Sequence, residues 1–264
     1  MKLKKNIVLK TENLSIGYQQ KKQDKIVFSN INLSIEKGKL VTVLGKNGIG
    51  KSTLLRTLSK VQKPISGTIL LNDKNLNLYS EKELSTQLSL VLTERLPESQ
   101  LTVFELIALG RQPYTNWIDK LSEEDIQKVN TAISQTEIAH LKNSRFYELS
   151  DGQLQRVLIA RAIAQDTQII ILDEPTAHLD MHHTIKIFSL LEKLVKETSK
   201  TIIISSHEVN LSIQLSDEII MFTNDNLCTG TPGKLIEENA FDNLFSQDLV
   251  NFNKTLKQFV VKKI

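Results

Sequence analysis

Residues 45–52, GKNGIGKS, combine glycines, a lysine and a serine in a pattern suited to holding phosphate. The spacing is G-x-x-x-x-G-K-S, and it falls between an apolar run, LVTVL, and a helical pattern, KSTLLRTL. Glycines let such a loop curl so that its backbone N–H groups face phosphate oxygens, while the lysine reaches the β- and γ-phosphates and the serine ligates Mg²⁺. The pattern predicts a nucleotide site formed by Gly45, Lys46, Asn47, Gly48, Ile49, Gly50, Lys51, Ser52 and Thr53.

Two adjacent carboxylates follow a second apolar run, IIIL, at 169–172. A buried strand that ends in Asp173 and Glu174 delivers negative charge to the carboxyl edge of a sheet, where α/β folds bind ligands. We expect Asp173 to hold Mg²⁺ and Glu174 to polarise an attacking water. Together with the phosphate loop, this pair predicts hydrolysis of a nucleoside triphosphate.

A second phosphate-type feature occurs in LSDGQLQR, residues 149–156. Ser150 and Gly152 stand at a predicted helix start, where free backbone N–H groups and the helix dipole attract anions. In isolation, an ordinary serine-capped helix would be the favoured explanation of these residues. One chain thus carries two candidate phosphate sites, far apart in sequence.

The elements that position these residues follow an alternating pattern. Apolar runs at 40–44, 169–172 and 201–205 lack polar alternation, which is typical of parallel strands buried on both faces, and helical patterns separate them. This predicts an α/β fold with a mostly parallel sheet, preceded by antiparallel strands within 7–35. In the helix after the D-E pair, the spacing places Ile185, Phe188, Leu191 and Val195 on one helical face.

The segment from about 102 to 145 predicts a mostly helical insertion. No β-rich run interrupts it, Ser122 is suited to cap a helix, and Ile126, Val129 and Ile133 recur at helical spacing.

Composition sets the bounds on partners and location. The 264 residues include 33 basic and 30 acidic side chains, a net charge of +3, so no strong polyanion-binding field and no nucleic-acid partner are expected. The single cysteine, Cys228, excludes an internal disulfide and suits a reducing compartment. No signal peptide is expected, and no apolar run approaches the roughly 18 residues needed to cross a bilayer.

Taken together, these motifs resemble the ATPase subunit of an ABC transporter, over nearly the whole chain. Residues 149–153, LSDGQ, look like the family's signature segment, with Asp151 in place of the usual first glycine. The segment AHLD, ending at Asp180, is similar to the family's D-loop. His207, after the run TIIIS, matches the switch histidine, and Tyr18 matches the aromatic residue that stacks on adenine.

The resemblance explains why one chain carries two phosphate sites. In this family two subunits pack head to tail, and the signature of one closes over the ATP held by the other. It implies that Ser150, Asp151, Gly152 and Gln153 act in trans, that Glu174 and His207 are catalytic, and that the cofactors are ATP and Mg²⁺. The two half-sites are then duplicated by a two-fold axis.

The resemblance also implies the domain organisation. It gives a single ABC ATPase domain over 1–264, with a core at about 1–92 and 149–240, a helical subdomain at about 93–148 and a C-terminal extension at about 241–264. Residues 102–117, TVFELIALGRQPYTNW, look like the ATPases of iron(III)-siderophore, haem or vitamin B12 importers. The implied partners are an identical second subunit, a membrane permease that this segment would face, and indirectly a substrate-binding protein. The implied location is peripheral, on the cytoplasmic side of the membrane.

Other interpretations are open at this stage. The chain could energise a different cargo, or be a non-transport ABC ATPase of DNA repair or translation, although such proteins usually carry two ATPase units or long coiled coils. A phosphate-loop kinase or GTPase would lack LSDGQ. His178, His182 and His183 cluster in AHLDMHH, and the first two have i, i+4 spacing that could chelate a metal, although flanking the D-loop is the favoured explanation.

One departure from the family generates a prediction. Most members place a glutamine after the strand near 88–92 that reaches Mg²⁺ and the attacking water, whereas this chain has Thr93 and Glu94 there. We expect Glu94 to substitute, because a carboxylate oxygen is a hard ligand that Mg²⁺ accepts readily. Glu94→Ala should raise the Mg²⁺ concentration for half-maximal hydrolysis severalfold, and Glu94→Gln should be mild. A larger effect of Thr93→Ala would assign the role to the threonine.

Overall fold

The structure, a computed structural model, describes residues 6–21, 23–92, 99–115, 120–223, 226–244 and 250–262. Thr93, Glu94 and Trp117 lie outside these ranges. The strands are β1 (Ile7–Tyr18), β2 (Lys25–Ile31), β3 (Ser34–Glu36), β4 (Leu40–Leu44), β5 (Ser66–Leu71), β6 (Lys74–Asn75), β7 (Leu88–Val91), β8 (Ile169–Leu172), β9 (Thr201–Ser205), β10 (Glu218–Phe222), β11 (Leu227–Gly230), β12 (Val250–Asn253) and β13 (Gln258–Val261). The α-helices are α1 (Lys51–Leu58), α2 (Glu81–Ser85), α3 (Val103–Ala108), α4 (Glu123–Gln135), α5 (Asp151–Ala164), α6 (Met181–Thr198), α7 (Val209–Leu215) and α8 (Pro232–Glu237).

A mainly parallel sheet forms the centre of the fold, as the apolar runs predict. Its strand order is β11–β10–β4–β9–β8–β7, and only β11 runs antiparallel to its neighbour. Successive residues of β8 and β9 enter different hydrophobic cores: Ile170 and Ile202 pack on one face, and Ile171 and Ile203 on the other. Burial on both faces explains why these strands are continuously apolar in sequence.

A second, antiparallel sheet covers one of these faces. Its order is β2–β1–β5–β6, and β3 also pairs with β1. This confirms the antiparallel strands predicted within 7–35. The core between the two sheets is built by aliphatic side chains from β1, β4 and α1, and Tyr18 ends β1 at its rim.

Helices and short 3₁₀ turns make up the described part of the insertion, as predicted. Ser122 caps α4: its hydroxyl oxygen accepts a hydrogen bond from the N–H of Asp125. The carboxylate of Asp125 in turn accepts from the backbone N–H of Ser122. Val129 and Ile133 are buried as expected, but Ile126 is 40% exposed. Ile126 shares their helical face in the sequence pattern, but it does not belong to the buried core.

In helix α6 too, the first residue of the predicted face is exposed. Phe188, Leu191 and Val195 are buried, whereas Ile185 is 38% exposed and Ile187 and Leu194 are buried in addition. The buried stripe, which begins at Thr184, is therefore wider than the i, i+3 spacing suggested, because α6 packs on a sheet.

A buried ion pair joins the insertion to the end of α5. The guanidinium of Arg111 donates to Asp125 at 2.8 Å and to the backbone carbonyl of Ala164 at 2.8 Å, and it stacks on the ring of Tyr114. The Arg111 and Asp125 side chains are only 5% and 7% exposed. The pKa of Asp125 is lowered: burial opposes ionisation, but hydrogen bonds from Ser122 and Arg111 outweigh it.

The C-terminal residues form a β12–β13 hairpin. Phe252 and Phe259 from this hairpin pack against Phe241, and the backbone N–H of Phe259 donates to the side chain of Asn210 on α7.

Within the described ranges, none of the helices is both long enough and apolar enough to traverse a lipid bilayer.

Breaking the buried pair tests how the insertion is held. Arg111→Ala should lower the free energy of unfolding by about 3–5 kcal/mol, because it leaves the Asp125 carboxylate buried without its counter-charge. Urea unfolding measures this. Lys128→Ala is the control, since it breaks a 2.7 Å pair with Asp166 whose side chains are over one third exposed, and should cost below about 1 kcal/mol. Equal losses in the two variants would contradict the assigned role.

Candidate active site

The site assembles at the carboxyl edge of the parallel sheet. Strands β4, β9 and β8 lie side by side, and each ends in a candidate segment: the phosphate loop after Leu44, His207 after Ser205, and the Asp173–Glu174 pair after Leu172. Because the strands are parallel, their ends meet at one edge although up to 162 residues separate the segments in sequence.

The phosphate loop adopts a conformation that needs its glycines. Gly45, Gly48 and Gly50 have φ values of 153°, 75° and 120°, which L-residues rarely adopt. α1 begins immediately afterwards at Lys51, with Gly50 as its N-cap and no side-chain cap. The first-turn N–H groups of this helix are therefore left for a ligand.

The ammonium group of Lys51 is a buried positive charge at the centre of the loop. Its side chain is 3% exposed, and its ammonium group donates to the carbonyl of Gly45 at 3.0 Å and lies 3.9 Å from a carboxylate oxygen of Glu174. Burial lowers the pKa of Lys51, while the charges of Glu174 and Asp173 partly oppose that shift. An anion entering this loop would accept further hydrogen bonds from this buried ammonium group.

Asp173 is the most buried carboxylate of the site, at 2% exposure. One of its oxygens accepts from the hydroxyl groups of Ser52 at 2.9 Å and Ser205 at 2.7 Å, and the other has no hydrogen-bond partner among the described residues. A buried ionised oxygen without a partner is costly. Hard oxygen donors from Asp173 and Ser52 suit Mg²⁺, so the residues present fit this cation.

Glu174 and His207 contact each other. The Nε2 atom of His207 lies 2.8 Å from a carboxylate oxygen of Glu174 and 3.4 Å from the Lys51 ammonium. One ring nitrogen cannot both accept from the ammonium and donate to the carboxylate, so the shorter contact assigns the proton to Nε2, which donates to Glu174. Glu174 has φ 48°, a strained backbone for this residue, and its N–H donates to Ser205.

Tyr18 stands beside the phosphate loop at the end of β1. Its hydroxyl lies 3.3 Å from that of Thr53, and the residue is 49% exposed. The ring is thus anchored at its tip and open to solvent, which allows a base to stack on it.

The signature segment lies on a different part of the chain surface. Ser150 caps α5: its hydroxyl oxygen accepts from the backbone N–H of Gln153, and its own backbone N–H donates to the side-chain oxygen of Gln153. Asp151 is exposed and has no positive φ, so this position does not require glycine. Gly152 does, because a β-carbon there would lie 2.8 Å from the ring of His183. Among the described residues, no hydrogen bond or ion pair joins this segment to the phosphate loop of the same chain.

Asp180, in the D-loop segment, caps α6. Its carboxylate accepts from the backbone N–H of His183 at 2.8 Å and from the ring of the same residue at 2.9 Å. In the described part of the chain, no group of three or more histidine, cysteine or acidic side chains suited to a metal includes His178 and His182.

The sequence interpretation missed two features of the site. Ser205 bonds both Asp173 and the backbone of Glu174, and the available signal was a hydroxyl at the end of a buried apolar strand. In GRQPY, Arg111 is 4% exposed and paired inside the protein. Its charge is therefore not available at the surface, whereas the neighbouring side chain of Tyr114 is exposed.

Comparisons with known proteins agree with this geometry. Residues 28–177 match the family described as ABC transporter. A probable siderophore transport system ATP-binding protein of Bacillus subtilis is 35% identical over 241 residues, covering 91% of this chain and 86% of that protein. A structure of a metal-chelate type ABC transporter in an inward-facing conformation has a TM-score of 0.79 at 28% identity, covering 97% and 96%. A dimeric ATP-binding cassette in a post-hydrolysis state with ADP and Pi has a TM-score of 0.73 at 28% identity, covering 85% and 98%.

Ser205→Ala tests the arrangement around Asp173. We expect kcat for ATP hydrolysis to fall about tenfold or more and the Mg²⁺ requirement to rise, because a hydrogen bond to a charged group contributes roughly 1.5–3 kcal/mol. Ser206→Ala is the matched control, since among the described residues the neighbouring hydroxyl accepts only from the N–H of Glu208, at 3.0 Å. Equal kinetics in the two variants would show that Ser205 does not act through Asp173.

Proposed function

The chain belongs to the ABC transporter family, and we propose that it is the ATP-hydrolysing subunit of an importer for iron(III)-siderophores or a related metal chelate. The observation that carries the enzymatic part is the cluster of Lys51, Ser52, Asp173, Glu174 and His207 at one sheet edge. Five side chains from three loops fall within 4.0 Å of a neighbour in this cluster. Each has a chemistry that hydrolysis of a Mg²⁺-bound triphosphate needs.

The roles follow from the positions. The glycine-rich loop and Lys51 bind the phosphates, Tyr18 stacks on adenine, and Ser52 and Asp173 hold Mg²⁺, which neutralises charge on the phosphate oxygens. Glu174 accepts a proton from the attacking water. His207, which donates to Glu174 at 2.8 Å, orients that carboxylate and contacts the γ-phosphate.

A second subunit completes the site. Ser150 and Gly152 stand at the start of a 14-residue helix, a good anion site, without bonding the phosphate loop of their own chain. A head-to-tail dimer brings this helix start to the partner's ATP, and the similar cassette with ADP and Pi is dimeric. We expect the mate to be an identical copy.

This chain has a surface groove that suits contact with a permease. A groove of about 460 Å³ runs between α2 and the insertion and is lined by Lys82, Leu109, Gln112, Pro113 and Arg161, among others. It mixes apolar and charged side chains and spans two parts of the fold, so a helix docked there would sense movement between them. This groove supports a permease contact on the exposed face of GRQPY, which we expect on the cytoplasmic side of the membrane.

The cargo is inferred from relatives, because the ATPase does not touch it. The similar Bacillus subtilis protein belongs to a siderophore transport system, and the similar solved transporter is of a metal-chelate type. A non-transport ABC ATPase is the second candidate. Co-purification of the tagged chain with a multi-span membrane protein, followed by uptake of a radiolabelled iron(III)-hydroxamate into proteoliposomes, separates the two. Purification of the active chain without any multi-span membrane partner, and without uptake, would favour the second.

Glu174→Gln tests the catalytic assignment. Hydrolysis should fall by orders of magnitude, since an amide cannot act as a base, while ATP binding persists. ATP should then trap a dimer that elutes earlier in size-exclusion chromatography. The control is Glu174→Gln combined with Lys51→Ala, which should stay monomeric because the phosphates lose their main protein cation. Normal turnover in Glu174→Gln would move the general base elsewhere.

A further inference from the structure

The ring of His183 lies between two functional segments of the same subunit. On one side is Gly152 of the signature segment, and on the other is Asp180 of the D-loop segment. These segments are 28 residues apart in sequence and belong to different helices, α5 and α6. His183 is therefore a physical bridge between them.

The contact with Gly152 is close enough to constrain the sequence. A β-carbon at Gly152 would approach Cδ2 of His183 to 2.8 Å and Cγ to 3.2 Å, both below ordinary van der Waals contact. Gly152 is helical and has no positive φ, so its backbone does not itself demand glycine. The requirement comes from the ring that packs against it.

The contact with Asp180 is a set of hydrogen bonds. Nδ1 of His183 lies 2.9 Å from each carboxylate oxygen of Asp180, in addition to the backbone N–H bond of 2.8 Å that caps α6. Hydrogen bonds from the His183 backbone and then from its ring lower the pKa of Asp180. The backbone bond caps the helix with any residue at 183, so the imidazole is not needed for the cap.

We propose that His183 is a positioning residue that fixes the signature segment to the D-loop segment within one subunit. The inference rests on the proposed function, in which the signature acts on the partner's ATP. The D-loop follows Glu174 by only a few residues, with Ala177 bonded to Glu174 along the backbone at 3.0 Å. Closure of the signature on the partner's nucleotide is thereby conveyed to the loop beside the subunit's own catalytic carboxylate.

The test is a double-mutant cycle on ATP-driven dimerisation in the Glu174→Gln background. His183→Ala and Gly152→Ala should each raise the ATP-dependent dimer dissociation constant about tenfold, the size expected for contacting residues coupled through one link. The double variant should be no worse than Gly152→Ala alone, because removing the ring makes room for the added methyl. His140→Ala, an exposed histidine elsewhere, is the control and should leave the constant unchanged.

A kinetic split separates positioning from loss of folding. With Glu174 intact, His183→Ala should lower kcat about tenfold while ATP binding to dilute monomer changes less than about twofold. Its thermal midpoint should match that of His140→Ala. His183→Asn keeps a donor towards Asp180 but lacks the ring atoms that touch Gly152, so it should be as impaired as His183→Ala.

The outcomes distinguish a failure of the proposed function from a failure of the role proposed for His183. Absence of an ATP-dependent dimer in Glu174→Gln alone overturns the proposed function, and with it the role of His183. A dimer that forms normally in His183→Ala, additive losses in the cycle, or full activity in His183→Asn overturns the bridge and leaves the proposed function intact.

Discussion

The carboxylate of Asp173 connects the parts of the site. It ends β8, accepts from Ser52 at the start of α1 and from Ser205 at the end of β9, and its second oxygen has no partner in the described structure. At 2% exposure, such a charge is tolerable only if its donors are fixed. The strand order, which places β9 between β4 and β8, supplies that fixity by bringing these donors to one sheet edge.

Opposite charges lie close together around this carboxylate within the single chain. Lys51 is buried and is held by carbonyl groups of its own loop, with Glu174 3.9 Å away and His207 between them. The cluster thus holds a cation and two carboxylates, a composition that a triphosphate with Mg²⁺ complements. This explains why burial and the nearby carboxylates act on the pKa of Lys51 in opposite directions.

Helix α5 links the catalytic edge to the rest of the molecule. Its first turn carries the signature segment, which packs on His183, and its last turn is bound by Arg111 through the carbonyl of Ala164. Two contacts at opposite ends of this helix make it a continuous member between the insertion and the D-loop segment. Such a member can convey movement in either direction between the insertion surface and the dimer interface.

The sequence by itself determined the features that are local or periodic. The phosphate loop, the buried strands and the cap at Ser122 follow from short-range rules of backbone freedom, burial on two faces and helix capping, and each lies where its pattern predicts. The roles of Tyr18, Glu174 and the signature residues stay predictions until they are tested.

Only the tertiary structure decided which distant side chains meet. The bonds of Ser205 to Asp173, the ring of His183 against Gly152 and the burial of Arg111 join segments 14 to 32 residues apart, and no local pattern encodes such distances. The exposure of Ile126 and Ile185 has the same origin. Helical spacing defines a face, but how much of that face is buried depends on the length and shape of the surface that packs against it.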